Sequence, residues 1–421
     1  MSSRGHVGEL ASRPRLHGEG WMLRKMRDGV LRSLASIRTG CLTIREGGRT
    51  HVFGDPASPL RATVDVRHPD LWAATALRGT VGAGEAYMDG AWTSDDLVAV
   101  VRIFVANRDA MQAVEGGLAS IARPFLKLFH GRRDNTRDGS RKNIAAHYDL
   151  GNEFFRLFLD ETLMYSCAVF ERPDSTLREA SDAKNERICR KLGLGPSDHV
   201  VEIGTGWGGF ALHAASRHGC RVTTTTISAE QHALASKRIA DAGLADRVTV
   251  LMQDYRDLRG SYDALVSIEM VEAVGANHLD EWTRACGSLL APHGRACVQA
   301  IVIRDEFYEN ALRNVDFIQR HVFPGSFIPS TSALTSSFAR TTDMRLVHLD
   351  DIGPHYARTL REWRTRFLAR IDAVRGLGYP DEFVLLWEFY LAYCEGGFEE
   401  RVLGDVQMLL FRPRRLEPPW L

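Results

Sequence analysis

Three short stretches carry side chains that could do chemistry together. "LMYSCAVF" closes a Phe-rich run with Tyr165, Ser166 and Cys167 side by side. "EIGTGWGGF" sets Gly204, Gly206, Gly208 and Gly209 behind an acid, Glu202. "QDY" puts Asp254 and Tyr255 after another apolar run. Glycines in such a loop let the backbone turn tightly and bring a ligand against the peptide groups. The spacing Gly204-x-Gly206-x-Gly208 departs from the dinucleotide fingerprint G-x-G-x-x-G and, with Glu202 ahead of it, favours S-adenosylmethionine. Downstream, "TTTTIS" offers no acid for ribose hydroxyls, so Thr226, Ser228 and Gln231 would supply neutral hydrogen bonds. Ser228-x-x-Gln231 is equally a capping box for a following helix. Asp254 and Tyr255 stand where an adenine amine needs an acceptor and a flat apolar neighbour.

A scaffold must hold these groups at one place. From "DHVVEIG" onward, strand-like runs ("CRVTTTTI", "RVTVLMQD", "YDALVSIEM", "RACVQAIVI") alternate with helix-forming sequence. That alternation predicts an α/β fold with a doubly wound, mostly parallel sheet. Ligands in such sheets sit at the carboxyl ends of the strands, where the residues above fall. Ahead of this region, "CLTIREG", "HVFGD" and "ATVDVRH" read as short strands of a smaller α+β domain. "GTVGAGEAYMDGAW" reads as turns, followed by a helix capped by Thr93 or Ser94.

Composition narrows the class. Lys plus Arg equals Asp plus Glu at 53 each, which argues against a nucleic-acid binder. Apolar runs are too short or too broken by charge for a membrane span. The first residues lack the apolar core of a secretory signal. Seven scattered cysteines without a C-x-x-C pair read as reduced thiols of a cytoplasmic protein, with no metal site.

Together these stretches resemble the cyclopropane-fatty-acyl-phospholipid synthase family and its mycolic-acid-modifying relatives. The resemblance runs through "GAGEAYMDGAW", "HYDLGNEFF", "LMYSCAVF", "IGTGWGGF", "TISAEQ", "SIEMVEAVG", "VDFIQRHVFPGSFIPS" and "DIGPHYARTLREW". It implies a class I S-adenosylmethionine-dependent methyltransferase that acts on the cis double bond of a phospholipid acyl chain. An alkene is a weak nucleophile, and its attack on a sulfonium methyl leaves a carbocation that must lose a proton. In the family the proton acceptor is a bound bicarbonate. The cage for it maps onto Cys167, Glu272, Gln299, the backbone of Ile301, and Tyr356. The cofactor side maps onto Tyr148, Tyr165, Ser166, Gly204, Gly206, Thr226 and Gln231, joined by Asp254 and Tyr255. Phe317, Phe323, Phe327 and Tyr390 are candidates for cation–π contact with the carbocation.

Two departures stand out. Thr205 replaces a cysteine of the glycine loop, and Gln299 replaces a histidine of the cage. Glutamine is never charged, so its hold on a free anion is weaker than that of an imidazolium. The expected product is a cyclopropane fatty acid, formed when the added methyl loses its proton with ring closure. Proton loss of another kind leaves a methylene branch, the alternative that Gln299 favours. A small-molecule N-methyltransferase is the competing enzyme reading.

The expected organisation is a lipid- or membrane-associating domain over 1–125, a basic linker over 126–143, and a catalytic domain over 144–421. Between Arg123 and Lys142, seven basic residues face two acidic ones, interleaved with Phe125 and Phe129. Such a stretch suits the anionic surface of a bilayer. The expected location is therefore cytoplasmic, peripheral on the inner face of the cell membrane, and the family resemblance implies a homodimer.

Overall fold

The computed structural model describes residues 20–108 and 150–413. Tyr148 and the basic stretch Arg123–Lys142 lie outside the described residues. Two compact units emerge. One draws on 20–108, Arg313–Val322 and Trp363–Val402, the other on 150–312, Phe323–Glu362 and 403–413.

The first unit is built on a four-stranded sheet: β1 (Cys41–Glu46), β2 (Arg49–Gly54), β3 (Arg61–Val66) and β4 (Trp92–Ser94), in the order β2-β1-β3-β4. Gly47 and Gly48 join β1 to β2, both at positive φ (52° and 81°), the geometry of a two-residue hairpin turn. The stretch expected to form turns is instead helical over Asp70–Met88, broken at Gly79 (φ 59°). Its glycines serve close approach. A Cβ on Gly82 would lie 2.0 Å from the Ala74 carbonyl oxygen, and one on Gly84 would lie 2.5 Å from the Phe317 ring. The next helix, Leu97–Ala106, is capped by Asp96, whose carboxylate accepts from Ala99 N–H at 2.9 Å. Ser94, an expected cap, instead donates to the Thr63 carbonyl and accepts from Asp96 N–H.

Inside the helix Asp70–Met88, Glu85 is 1% exposed. It meets Arg78 at 2.6 Å, Arg320 at 2.8 Å and His321 at 3.2 Å, which satisfies a charge that burial would otherwise make costly. Phe317 and Tyr390 also belong here. Phe317 packs 4.6 Å from Phe389 in the core of this unit, and Tyr390 lies 5.2 Å from Trp387.

The second unit carries seven strands: β5 (His199–Ile203), β6 (Arg221–Thr226), β7 (Val248–Met252), β8 (Tyr262–Ile268), β9 (Leu290–Ile303), β10 (Arg345–Asp351) and β11 (Leu403–Phe411). Their order is β10-β11-β9-β8-β5-β6-β7. From β7 to β9 every pairing is parallel, whereas β11 runs antiparallel to both β9 and β10. The order reverses between β5 and β8, so the crevice for a ligand opens at their carboxyl ends. β5 and β8 are largely apolar and buried, as strands covered on both faces must be. All seven cysteines are unpaired. Among the described residues, no helix is long and apolar enough to cross a membrane.

Candidate active site

The glycine loop begins where β5 ends. Gly204 sits at φ 101°, a backbone open only to glycine, and its N–H and that of Thr205 both donate to the Thr225 carbonyl. Thr205 also bonds through its hydroxyl to Thr224 at 2.7 Å, so its side chain ties the loop to β6. Gly206 lies at φ 53°, and a Cβ there would meet nothing within 4 Å. Next to it, Trp207 donates from Nε1 to Asn152 Oδ1 at 2.7 Å and packs 4.8 Å from Phe155. Phe155 in turn contacts Tyr165 at 5.4 Å. The Phe-rich run thus props the loop and Tyr165 from one side.

Glu202 is 2% exposed, and its Oε2 has no protein partner. Desolvation pushes its carboxyl up to about 8, with Thr224 and Lys184 opposing. The open space at Gly206 and the unpartnered Glu202 Oε2 fit a polar ligand such as the amino-acid part of S-adenosylmethionine. Thr226 donates to Gln231 Oε1 at 2.9 Å, and Ser228 caps the helix Ala229–Asp241 by accepting from Gln231 N–H. Asp254 is held by Arg256, whose Nε and outer nitrogen lie 2.9 and 2.7 Å from its two oxygens. Tyr255 packs into the core with Trp282 and Leu258.

At the carboxyl end of β8 lies a denser polar cluster. Cys167 N–H donates to Glu269 Oε1 at 2.7 Å, and Gln299 Nε2 donates to the same oxygen at 2.8 Å. Tyr356 donates its hydroxyl to Glu269 Oε2 at 2.5 Å. Gln299 is oriented from behind. Lys191 donates to Gln407 Oε1 at 2.8 Å, and Gln407 Nε2 donates to Gln299 Oε1 at 3.0 Å, leaving the Gln299 NH₂ facing Glu269. Glu272 accepts from Ile301 N–H at 2.6 Å through Oε1, and its Oε2 is buried without a protein partner.

The structure therefore brings Cys167, Gln299 and Tyr356 onto one carboxylate, and Glu272 onto Ile301 beside it. Sequence reasoning missed that carboxylate. Glu269 sits three residues before Glu272, directly after the end of β8, where the strand-end rule alone would have found it.

Two further ionisable groups were also missed. Lys184 is fully buried, with Nζ 3.1 Å from Ser166 Oγ, and burial lowers it to about 8 against the pull of Glu269, Cys167 and Asp405. Asp405 is fully buried, and desolvation, followed by the charge of Glu269, drives its carboxyl far up. Burial drives Glu272 up to about 8 and the Cys167 thiol well above its usual range, with Glu269 adding to both. Cys167 thus serves as a neutral wall and a backbone donor. Phe327 packs into the core of this unit, and its N–H donates to the Glu272 carbonyl at 3.0 Å. Phe323 is half-buried.

The donors assigned to a bicarbonate ion, namely Cys167 N–H, Gln299 and Tyr356, are engaged by the Glu269 side chain. In this state the cage does not fit a second anion. Removing one of those donors tests how firmly the carboxylate must be held. Tyr356→Phe is expected to lower kcat by roughly 10-fold or more, since a hydrogen bond to a charged group contributes about 1.5–3 kcal/mol. S-adenosylmethionine affinity, read by calorimetry, should stay unchanged, because Tyr356 faces Glu269 rather than the glycine loop.

A separate cluster, Cys189, His213 and His218, has ligand atoms within 4.8 Å of one another, which cysteine spacing alone did not disclose. Glu186 accepts from both rings, at 3.1 and 3.0 Å, and this hydrogen-bond network accounts for the grouping.

A seven-stranded sheet with one antiparallel strand, and a glycine loop at its switch point, defines a class I S-adenosylmethionine-dependent methyltransferase. The mycolic acid cyclopropane synthetase family model matches residues 135–408, and the chain belongs to that family. It is 39% identical over 365 residues to the tuberculostearic acid methyltransferase UfaA1 of Mycobacterium tuberculosis, covering 85% of this chain and 84% of that one. Against the cyclopropane-fatty-acyl-phospholipid synthase of Escherichia coli it is 34% identical over 350 residues, covering 82% and 86%. Among solved structures, the mycolic acid cyclopropane synthase CmaA1 in complex with SAH and CTAB superposes with a TM-score of 0.61 at 29% identity. It covers 64% of this chain and 98% of its own. The protein is an S-adenosylmethionine-dependent C-methyltransferase.

Proposed function

We propose that the enzyme methylates the cis double bond of an unsaturated phospholipid acyl chain and ends the reaction as a methylene branch rather than a ring. Bound S-adenosylmethionine supplies an electrophilic methyl, which the alkene takes up to leave a carbocation on the neighbouring carbon of the acyl chain. Prompt loss of a proton from the new methyl closes a cyclopropane. A hydride moving first from the methylated carbon to the cation, followed by the same proton loss, leaves a methylene branch.

The observation that carries the reading is Gln299. Its amide is neutral and locked as a donor to Glu269, in the place the family gives to a histidine. A proton acceptor held by several hydrogen bonds takes the proton later, which leaves time for the hydride to reach the more stable tertiary cation. The 39% identity to a tuberculostearic acid methyltransferase supports the same outcome.

The substrate lies in a bilayer, so the enzyme docks peripherally, and the basic stretch Arg123–Lys142 supplies the charge for an anionic surface. Purified enzyme is given vesicles of dioleoyl phosphatidylglycerol with S-adenosylmethionine, and the recovered lipid is read by proton NMR. Ring and branch have the same mass, so the expected result is a pair of olefinic methylene protons. Cyclopropane protons would give the product to ring closure, and an unmodified lipid would reject the substrate.

A further inference from the structure

We propose that Glu269 is the base of this enzyme, a carboxylate carried by the chain itself in the place where a bound bicarbonate would otherwise sit. The inference rests on the reading that an acyl carbocation must lose a proton at this cage.

Geometry carries it first. The two oxygens and carbon of a carboxylate reproduce one face of a bicarbonate ion. Cys167 N–H, Gln299 Nε2 and the Tyr356 hydroxyl converge on those oxygens at 2.7, 2.8 and 2.5 Å.

Backbone conformation comes second. Glu269 stands at φ 47°, in the left-handed region that a side chain enters at a cost on the order of 1 kcal/mol. Its carbonyl partner strand still holds it, through Glu269 N–H to Gln299 O at 2.8 Å. Strain retained at a strand end beside a ligand crevice is characteristic of a residue that must point one way.

The surrounding charges make Glu269 the natural choice. Asp405 is sealed from solvent, and Glu272 has Oε1 committed to Ile301 N–H. Burial favours the protonated form of both, so neither is a ready acceptor. Glu269 is half-buried, with part of its side chain open. Gln299 then ceases to be a defect, because a carboxylate fixed by a covalent tether needs no cationic partner to recruit it.

The step balances without a co-reactant. A C–H bond of the added methyl breaks, and its electron pair becomes the second bond between that carbon and the tertiary cationic carbon, which quenches the cation as a methylene branch. The proton goes to a Glu269 oxygen, which later releases it to water. The same three hydrogen bonds engage the carboxylate lone pairs and oppose their collapse onto the cation as an ester.

The test uses the full-length enzyme, two variants and two readouts. In carbon-dioxide-free buffer, turnover of dioleoyl phosphatidylglycerol by the native enzyme is expected to stay within about twofold of that with added bicarbonate. Glu269→Gln keeps the shape without the basicity and should lose on the order of 100-fold in kcat, with S-adenosylmethionine affinity unchanged. Glu269→Gly suits the left-handed backbone and opens the cage. It should be inactive in depleted buffer and regain at least about tenfold on addition of bicarbonate or formate.

The second readout needs no turnover. Carbon-13 bicarbonate should bind Glu269→Gly and not the native protein, as read by NMR line broadening. Native turnover that collapses without bicarbonate, bicarbonate binding to the native protein, or a Glu269→Gln variant of full activity would each overturn the assignment. A native enzyme that leaves the phospholipid untouched would instead reject the substrate reading, while the binding experiment would still decide what occupies the cage.

Discussion

Lys184→Met is expected to destabilise the catalytic unit by about 3 kcal/mol, read as a shift in the denaturant midpoint at pH 7. Removing one partner of a buried ion pair commonly costs about 3–5 kcal/mol, because the charge left behind loses its compensation. Lys184 has no exposed surface, and its ammonium lies 3.1 Å from Ser166 Oγ. Burial draws it down to about 8, so at pH 7 it still carries its proton, and among its neighbours Glu269 opposes that fall most. Methionine fills most of the volume but brings no charge, so the loss reports electrostatics rather than a cavity. A change below about 1 kcal/mol would mean that the carboxyls are compensated by other means. Ser166 would also lose its donor, so a modest fall in S-adenosylmethionine affinity should accompany the change.

Glu202 provides the second large effect, and its sign follows from linkage. Its carboxyl titrates near 4.5 in the unfolded chain and at about 8 in the fold, chiefly through desolvation. Between those values the native state holds a proton that the unfolded state has released. Stability contributed by the protonated acid is therefore complete below 4.5 and is lost as pH rises through about 8. Each unit of pH in that window weighs up to about 1.4 kcal/mol. Glu202→Gln is neutral throughout and escapes the loss. The melting temperature of the variant relative to the native enzyme should rise steadily from pH 5 to pH 8. A constant difference across that range would show that Glu202 is ionised in the fold.

The centre of the catalytic sheet was legible because β5 to β9 are local apolar runs separated by helical sequence. β11 was not. It inserts antiparallel between β9 and β10 from a point far along the chain, and Asp405 and Gln407 interrupt its hydrophobic pattern. Those same two residues are the ones that reach Gln299, so the least readable strand holds part of the cage. Lys184 escaped notice for a related reason. In "LREASDAKNERICRKL" it is one cation among several, and only packing shows that it faces inward.

The glycines of "GTVGAGEAYMDGAW" misled in the opposite direction. Glycine commonly signals a turn, yet here it permits tight packing inside a helix, against Ala74 and Phe317. The site residues were found through their resemblance to a family pattern. Glu269 falls outside that pattern, so it came from geometry alone.

The partners of Glu85 have a bearing on inheritance. Arg320 and His321 come from a segment that returns to the first unit after the catalytic sheet has begun, and Trp363–Val402 returns again. The polypeptide is threaded back and forth, so no single cut in a gene separates one unit from the other. A shuffled or truncated descendant that dropped the amino-terminal region would strand Arg320, His321 and the Phe317 ring without the surface they meet.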